Sequence, residues 1–469
     1  MQKKIILFEL NEVPLKVINF FIKARPQSAL AKIFPQSTIY ETYTEDGGHL
    51  SPWVTWPTFH RGVSNHQHCI SDFGQPLDEV DKQFPSIWKL LADKGVRTGV
   101  GGSLHSYVPQ QTFSEYAFYL PDIFAKEPIC WPKHLEGFQA FCLGMARESA
   151  KNVSDKVPLS QALDVLLNIR SIGLRPGTLM DVARQLVEER LQPWKLVRRR
   201  TYQSVLAFDV FFKQLEINKP DFSTYFTNHV ASSMHRYWQA AFPEDYAEIT
   251  FDEAWLQTYH GEIIYAMHKA DQMLGRLVDF VNRNPDYRLV IASSMGQQAV
   301  ESRPTETLLH ATEPERLMQA LGLRREDWEL RPAMFPQLNI RIASEQQRAN
   351  FEQIVKTLEI NGVPIKSRAA ADGFFSLDFG QENLSEIIVK IKGKEHSASE
   401  TGINNVVIQD KVGVTAYHIP QGSMLIYDGQ AEVVQGISQI STCDVCPAIL
   451  QNFGITPPSY MNRPVALFA

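Results

Sequence analysis

Short apolar stretches of strand length alternate with amphipathic stretches of helix length along most of the chain. Residues 5–8 predict a buried strand, residues 96–101 predict a strand of alternating character, and residues 222–227 and 287–293 predict two further strands. The stretches that predict helices are residues 16–22, 85–95 and 263–283. Because strand, helix and strand follow one another, the pattern predicts an α/β fold with a doubly wound, mainly parallel sheet.

Two regions interrupt this alternation. Residues 133–200 are rich in helical patterns and predict a helical insertion. Residues 336–411 contain short strand patterns with one helix at 345–358, which predicts a small α+β lobe. A core strand at 422–429 and a helix at 442–454 close the chain. The predicted organisation is core sheet (1–132), helical insertion (133–200), core sheet (201–335), small lobe (336–411), and closing strand and helix (412–469).

Composition narrows the class of protein. The chain has 469 residues, of which 44% are hydrophobic and 21% charged, and its net charge is −6. These values exclude a disordered chain, a coiled coil and a protein built to coat nucleic acid. The apolar runs are too short for a membrane span, and five cysteines in so long a chain fit a reducing compartment. We therefore expect a cytoplasmic protein without nucleic-acid or membrane partners.

Polar residues follow several of the predicted strands, where an open α/β sheet binds its ligands. Glu9, Asn11 and Glu12 end the first strand, Asn228 and His229 follow the strand at 222–227, and 293–296 follow the strand at 287–293. A further polar segment, 51–62, carries Thr55 between aromatic residues and prolines. These segments are the candidate site.

The order of these segments resembles the alkaline phosphatase superfamily, most closely its type I phosphodiesterase/nucleotide pyrophosphatase branch. The resemblance rests on motifs that are individually unspecific but occur in the family's order. They are Leu-Asn-Glu at 10–12, Thr-Trp-Pro at 55–57 followed by Gly62 and His-Cys-Ile at 68–70, Ala231 with His235, Ser-Ser-Met-Gly at 293–296, His418 with Pro420 and Gly422, and Asp-Val-Cys-Pro-Ala-Ile-Leu at 444–450.

The resemblance implies an alkaline-phosphatase-like fold, Thr55 as a covalent nucleophile and two divalent metals, usually zinc. The ligands of one metal fall on Asn11, Thr55, Ser294 and Met295. A neutral amide, hydroxyls and a thioether are poor ligands for zinc, so we expect this metal site to be lost.

The other metal site is altered but partly kept. Its ligands fall on Ala231, His235 and His418, and His229 lies close enough in sequence to supply a third imidazole. We therefore expect one zinc or other divalent ion at His235, His418 and His229. Glu9, Glu12, Asp46 and His49 could also rebuild a site, although Glu12 fits a solvated position at a helix start better.

The remaining polar residues suggest how a substrate is held. Without the second metal, catalysis needs a base or a cation, and arginine binds phosphate or sulfate oxygens in a bidentate way. The predicted substrate-binding residues are Asn11, His60, Arg61, Asn228 and Arg236. Cys443 and Cys446 have the spacing of a redox or metal motif but are predicted to be buried core thiols.

Three functions remain open on the sequence. The first is a phosphodiesterase- or phosphatase-like hydrolase that acts on a small phosphate or sulfate ester through Thr55, with a reduced metal site. The second is a pseudoenzyme that binds a phosphorylated ligand or a partner in the cleft that corresponds to the family's active site. The third is a metal-independent transferase in a biosynthetic pathway, although no residue selects it.

Overall fold

The computed structural model describes residues 3–125, 127–149, 165, 167–333, 335–408, 412–429 and 436–468. Part of the predicted insertion, 150–164 and 166, and residues 409–411 of the predicted lobe lie outside the described residues. Among the described residues, no helix combines the length and apolar character that a membrane span needs.

The strands and helices alternate as the sequence predicts, with additional short elements. The strands are β1 (Lys4–Leu10), β2 (Ser37–Tyr43), β3 (Thr98–Gly101), β4 (Tyr116–Leu120), β5 (Phe222–Thr227), β6 (Tyr287–Ala292), β7 (Gly296–Ala299), β8 (Thr307–Ala311), β9 (Trp328–Arg331), β10 (Leu338–Ile342), β11 (Glu359–Ile360), β12 (Val363–Pro364), β13 (Lys366–Ala370), β14 (Phe374–Asp378), β15 (Ile388–Ile391), β16 (Lys394–Ser397), β17 (Ile403–Val407), β18 (Ala416–Ile419), β19 (Met424–Tyr427) and β20 (Ile437–Ser441). The α-helices are α1 (Leu15–Ala24), α2 (Ala29–Ile33), α3 (Pro52–Arg61), α4 (Asn65–His68), α5 (Asp78–Gln83), α6 (Ile87–Ala92), α7 (Glu136–Ser149), α8 (Ile169–Ile172), α9 (Pro176–Leu191), α10 (Arg199–Asn218), α11 (His229–Ala241), α12 (Glu253–Tyr259), α13 (Glu262–Arg283), α14 (Pro314–Ala320), α15 (Glu345–Val355), α16 (Ala398–Thr401) and α17 (Val445–Asn452).

Within the described residues, eight strands form one sheet in the order β20-β2-β19-β6-β1-β5-β3-β4. All neighbouring pairs are parallel except those of β19, which is antiparallel to β2 and β6. The sheet is therefore mainly parallel. Strand β1 lies between β5 and β6, so the residues after these three strands meet at one edge of the sheet.

Helices cover both faces of this sheet, as the doubly wound prediction requires. Ile6 and Phe8 of β1 pack with α1, α10, α11 and α13 on one face. Ile5 and Leu7 pack with α3, α6 and α17 on the other, because successive side chains of a strand point to opposite faces. The mixed α/β class predicted from the sequence is confirmed, and Cys443 and Cys446 are buried as expected.

The small lobe has its own core and its own sheets. Strands β9, β10, β13 and β14 form one antiparallel sheet, and β11, β12, β15 and β16 form another. A third pairing joins β8 to β17. Strands that pair within the lobe therefore begin before residue 336, since β8 and β9 precede it.

One close approach brings distant chain segments to the edge of the sheet. Strand β7 pairs antiparallel with β18, which aligns Gln297 with His418. A Cβ on Gly296 would lie 2.1 Å from the carbonyl oxygen of Gln421, so this approach requires glycine. The pairing places both Gln297 and His418 beside the residues that follow β1.

Candidate metal centre and adjoining cavity

Asn11 and Glu12 follow β1 directly and are fixed by their neighbours at the sheet edge. The backbone N–H of Asn11 donates to the carbonyl of Thr227 at 3.1 Å. The hydroxyl of Ser293, after β6, donates to the carbonyl of Leu10 and accepts from the N–H of Val13 at 3.1 Å. Glu12 adopts φ of +62° in this turn and is only 2% exposed.

Glu12 lies between two imidazoles that come from distant parts of the chain. Its Oε2 is 3.0 Å from Nε2 of His235, on α11, and 3.3 Å from Nε2 of His418, on β18. Together they are a carboxylate and two imidazoles whose ligand atoms lie within 4.8 Å of one another. This set is the candidate metal centre.

The second nitrogen of each imidazole is fixed by the backbone. Nδ1 of His235 is 2.7 Å from the carbonyl oxygen of Ala416, and Nδ1 of His418 is 2.7 Å from that of Leu50. A carbonyl only accepts, so Nδ1 of each ring carries a proton, and Nε2 is the nitrogen that faces Glu12. This arrangement of a metal-binding histidine is common in proteins.

Two amides orient the carboxylate. Asn11 Nδ2 donates to Glu12 Oε1 at 2.8 Å, and Gln297 Nε2 donates to Oε2. Burial alone would raise the pKa of Glu12, but His418 and His235 hold it well below its usual range. Burial would lower the pKa of His418, but Glu12 raises it. The carboxylate is therefore ionised, and its charge is balanced by the imidazoles or by a bound cation.

A divalent cation fits these residues. Nε2 of His418 is buried without a hydrogen-bonded partner, although it points at a carboxylate. Two imidazole nitrogens and one carboxylate oxygen suit zinc and several other divalent metals. Glu12, His235 and His418 would hold the ion, and Asn11 and Gln297 would orient Glu12.

Two expectations about this centre need correction. Glu12 is buried rather than solvated at a helix start, and it occupies the place that the sequence assigned to His229. Nδ1 of His229 is 2.6 Å from Thr227 Oγ1 and its Nε2 is 3.0 Å from the carbonyl of Ala266. Burial lowers the pKa of His229 to about 4. His229 is therefore a neutral structural imidazole with no nitrogen left for a metal.

Thr55 lies near the centre but does not line the cavity described below. Its Oγ1 is 2.8 Å from Oγ of Ser294, and both side chains are fully buried. The next residue, Trp56, donates its indole N–H to Asn11 Oδ1 at 2.7 Å. Thr55 and Ser294 thus come together as the sequence register implies, and Trp56 connects this segment to Asn11, which donates to Glu12.

The amide of Asn11 is occupied by the protein itself. Its Nδ2 donates to Glu12 and, at 2.7 Å, to Asn228 Oδ1, while its Oδ1 accepts from Trp56. Asn11 was predicted to bind substrate, but in the structure it positions Glu12 instead.

His60 and Arg61 were also predicted to bind substrate, and the structure places both in the protein interior. His60 Nε2 is 2.8 Å from Glu9 Oε1, and its ring stacks on Trp56 at 5.4 Å between centroids. Arg61 pairs with Asp81 at 2.7 Å and donates to the carbonyl of Phe84. These residues fix α3 against the sheet and do not reach a ligand.

A cavity of about 1010 Å³ adjoins the candidate metal centre. Asn228, Arg236 and Tyr417 line it, and the Tyr417 ring is 5.8 Å from that of His235. The His235 side chain is 24% exposed, so it is the accessible member of the centre. Of the predicted substrate-binding residues, Asn228 and Arg236 therefore lie where a ligand can reach them.

Both interruptions of the core contribute to the cavity wall. The wall includes Arg200 and Gln203 of α10, and Asp378 and Glu382 of the lobe. A second cavity of about 510 Å³ shares residues Ile123, Phe124 and Phe335 with the first. On the sequence, Arg200 belongs to an arginine run, 198–200, that favours a solvated helix face over an anion site, and Tyr417 was not singled out although it directly precedes His418.

Asp122 supports the segment shared by the two cavities and is sensitive to pH. Its Oδ1 accepts from the N–H of Phe124 at 2.8 Å, and burial raises the pKa of Asp122 to about 7. A carboxyl group whose pKa is raised on folding makes the folded state less stable as pH rises from about 4 to about 7. Asp122→Asn keeps the acceptor oxygen and removes this cost.

We expect Asp122→Asn to raise the free energy of unfolding by about 2 kcal/mol more at pH 8 than at pH 5. Urea denaturation at the two pH values measures the difference. Asp286→Asn, at an exposed position, is the control and should show no such dependence. An equal gain at both pH values would show that Asp122 titrates normally.

A murine protein of known structure aligns with this chain over nearly the full length of both. No protein-family model matches the chain, and no curated protein matches it. A solved structure of murine ectonucleotide pyrophosphatase/phosphodiesterase 5 aligns with 98% of this chain and 97% of that chain, at 10% identity and a TM-score of 0.42. An inactive form of the same murine protein in complex with AMP aligns at the same coverage and identity, with a TM-score of 0.40. At these values the similarity does not identify a function for this chain.

Proposed function

We propose that this protein is a hydrolase of small phosphate or sulfate esters that uses one divalent metal held by Glu12, His235 and His418. The observation that carries the proposal is the convergence of two imidazole Nε2 atoms, each with its Nδ1 fixed by a backbone carbonyl, on one buried carboxylate. A cavity large enough for a substrate opens beside this centre.

The arginines of the cavity support an anionic substrate, although Glu301, Asp378 and Glu382 line the same cavity. Arg236 and Asn228 line the wall near His235, and Arg200 lies on the same wall. A guanidinium donates two parallel hydrogen bonds to phosphate or sulfate oxygens and stabilises the charge that develops on them. When bound, a divalent metal would neutralise charge on the ester and lower the pKa of a hydroxyl nucleophile.

Thr55 is the proposed nucleophile. Its Oγ would bond to phosphorus or sulfur as the ester bond breaks and the leaving alcohol takes a proton, and water would then hydrolyse the threonine ester. Support comes from the residue that follows it, Trp56, whose indole N–H donates to Asn11, the residue that orients Glu12. Its hydrogen-bonded partner, Ser294, is not a base, so activation depends on the metal.

A second function is favoured by the burial of Thr55. Its hydroxyl is fully enclosed and does not line the cavity. The same cavity would then bind a phosphorylated ligand without turning it over. In this case Glu12, His235 and His418 would serve binding alone.

The first test combines metal analysis with turnover assays on the purified full chain. We expect about one zinc or other divalent ion per chain. We also expect hydrolysis of bis(p-nitrophenyl) phosphate, p-nitrophenyl phosphate or p-nitrophenyl sulfate that a chelator removes and added metal restores. If the purified protein contains metal and binds a phosphorylated ligand but turns no substrate over, the binding function is favoured. If it shows neither metal nor turnover, the proposal is overturned.

A further inference from the structure

Helix α9 presents an apolar stripe to solvent. The exposed fractions of Met180, Val187 and Leu191 are 64%, 60% and 77%. With 3.6 residues per turn, these three side chains lie within an arc of about 40°. Leu186, about 120° from Met180 around the helix, is 42% exposed. A solvent-facing stripe of this kind is unusual, because an amphipathic helix normally buries its apolar side.

The opposite side of α9 is held to the protein by polar contacts. Asp181 pairs with Lys269 of α13 at 3.0 Å, and Glu188 pairs with Lys195 at 2.7 Å. Glu189 accepts from Nε of Arg199 at 3.0 Å. Rotating the helix to bury the stripe would break these ion pairs, so the ion pairs hold the stripe toward solvent.

The charges that remain on the outward side are positive. Arg184 and Arg190 are exposed and flank the stripe on its two sides, and Arg175 is exposed just before the helix. Arg184 retains one long contact, 3.8 Å from Asp181. The three acidic residues of α9, Asp181, Glu188 and Glu189, are all ion-paired, and the first two keep side-chain exposures of 32% and 36%.

We infer that this face of α9 binds the surface of an anionic lipid bilayer. Apolar side chains of an interfacial helix enter the boundary between headgroups and acyl chains, and flanking arginines reach the anionic headgroups. Charge complementarity favours lipid over a second copy of the chain, since a two-fold contact through α9 would set arginine against arginine. The helix would lie on the membrane, which agrees with the absence of a spanning helix among the described residues.

Vesicle co-sedimentation of the full chain tests this inference independently of the metal centre. We expect binding to phosphatidylcholine vesicles with about 30 mol% phosphatidylserine, and weak binding to pure phosphatidylcholine. Binding should fall as salt is raised, because ions screen the arginines. Val187→Glu and Leu191→Glu should each reduce the bound fraction about fivefold or more, and Arg184→Glu with Arg190→Glu should do the same.

Val363→Glu is the matched control, because Val363 is equally accessible (52% exposed) but lies in the lobe. These positions are exposed, so the variants should fold, and far-ultraviolet circular dichroism checks that they do. Equal binding by Leu191→Glu and the wild type, or no binding to anionic vesicles at low salt, would overturn the inference. So would a dimer in solution that the same α9 variants dissociate, since the stripe would then bind a second copy.

Discussion

Glu12→Gln is expected to reduce the metal content of the purified protein from about one ion per chain to less than about 0.1. The amide has the size of the carboxylate but no charge, and a neutral oxygen between two imidazoles is a much weaker ligand. The loss of affinity should exceed about 100-fold, because even partners of the ligands contribute 10–100-fold at such sites. Elemental analysis after dialysis against a metal buffer measures the effect.

Two further variants make this result specific. His418→Ala should lose the metal as Glu12→Gln does, whereas His134→Ala, at an exposed position, should keep it. Thermal unfolding of the metal-free proteins shows whether each variant folds. If Glu12→Gln retains the wild-type metal content, the carboxylate is not a ligand and the centre is a buried ion cluster.

Thr55→Ala is expected to lower turnover of the best ester substrate by about 10³-fold or more while leaving the metal content unchanged. The substitution removes the hydroxyl that is proposed to form the covalent bond. Thr55→Ser should retain a measurable rate, because it keeps the hydroxyl. Steady-state kinetics together with metal analysis of the same samples separate loss of the nucleophile from loss of the metal.

Ser294→Ala is the companion variant for Thr55. It leaves the Thr55 hydroxyl in place and removes its 2.8 Å hydrogen bond, so a smaller reduction is expected. Wild-type turnover by Thr55→Ala would show that water, rather than Thr55, attacks the ester. A Thr55→Ala protein that lacks metal would instead assign Thr55 to the structure of the centre.

The core of the fold was predictable where its elements have clear sequence patterns. Strand β5 begins and ends with the predicted stretch 222–227, which combines aromatic residues with Ser and Thr, and α13 differs from its predicted range, 263–283, by one residue. Aromatic and β-branched residues favour strands, so these residue types indicate the strand even though it is not apolar throughout. The lobe strands are short and partly exposed, and their pairings were not visible.

The histidines of the centre were found through motif register, whereas the role of Glu12 was not. Glu12 meets His418 and Gln297 only because β7 and β18 pair beside β1, and this contact spans most of the chain. No local pattern reports such a long-range contact. The available signal was that Glu12 is a polar residue after a buried strand. That signal is equally consistent with a side chain exposed to solvent.

His60 and Arg61 were wrongly predicted to bind substrate because they lie close to Thr55 in the sequence. They follow Thr55 by five and six positions on α3. At about 100° per residue, their side chains point about 120–140° away from that of Thr55. Knowing where the helix begins would have directed them to Glu9 and Asp81, where the structure places them.

The backbone at Glu12 carries a cost that bears on how such a centre is maintained. A φ of +62° is unfavourable for a residue with a Cβ, whereas glycine adopts it freely. Glycine at this position would relieve the backbone strain, but it would remove the carboxylate and leave the buried amides of Asn11 and Gln297 without their acceptor. Backbone conformation and ligand supply therefore oppose each other at a single position. The contacts of the Glu12 carboxylate offset the unfavourable backbone, so the turn after β1 is held in place by the same side chain that would bind the metal.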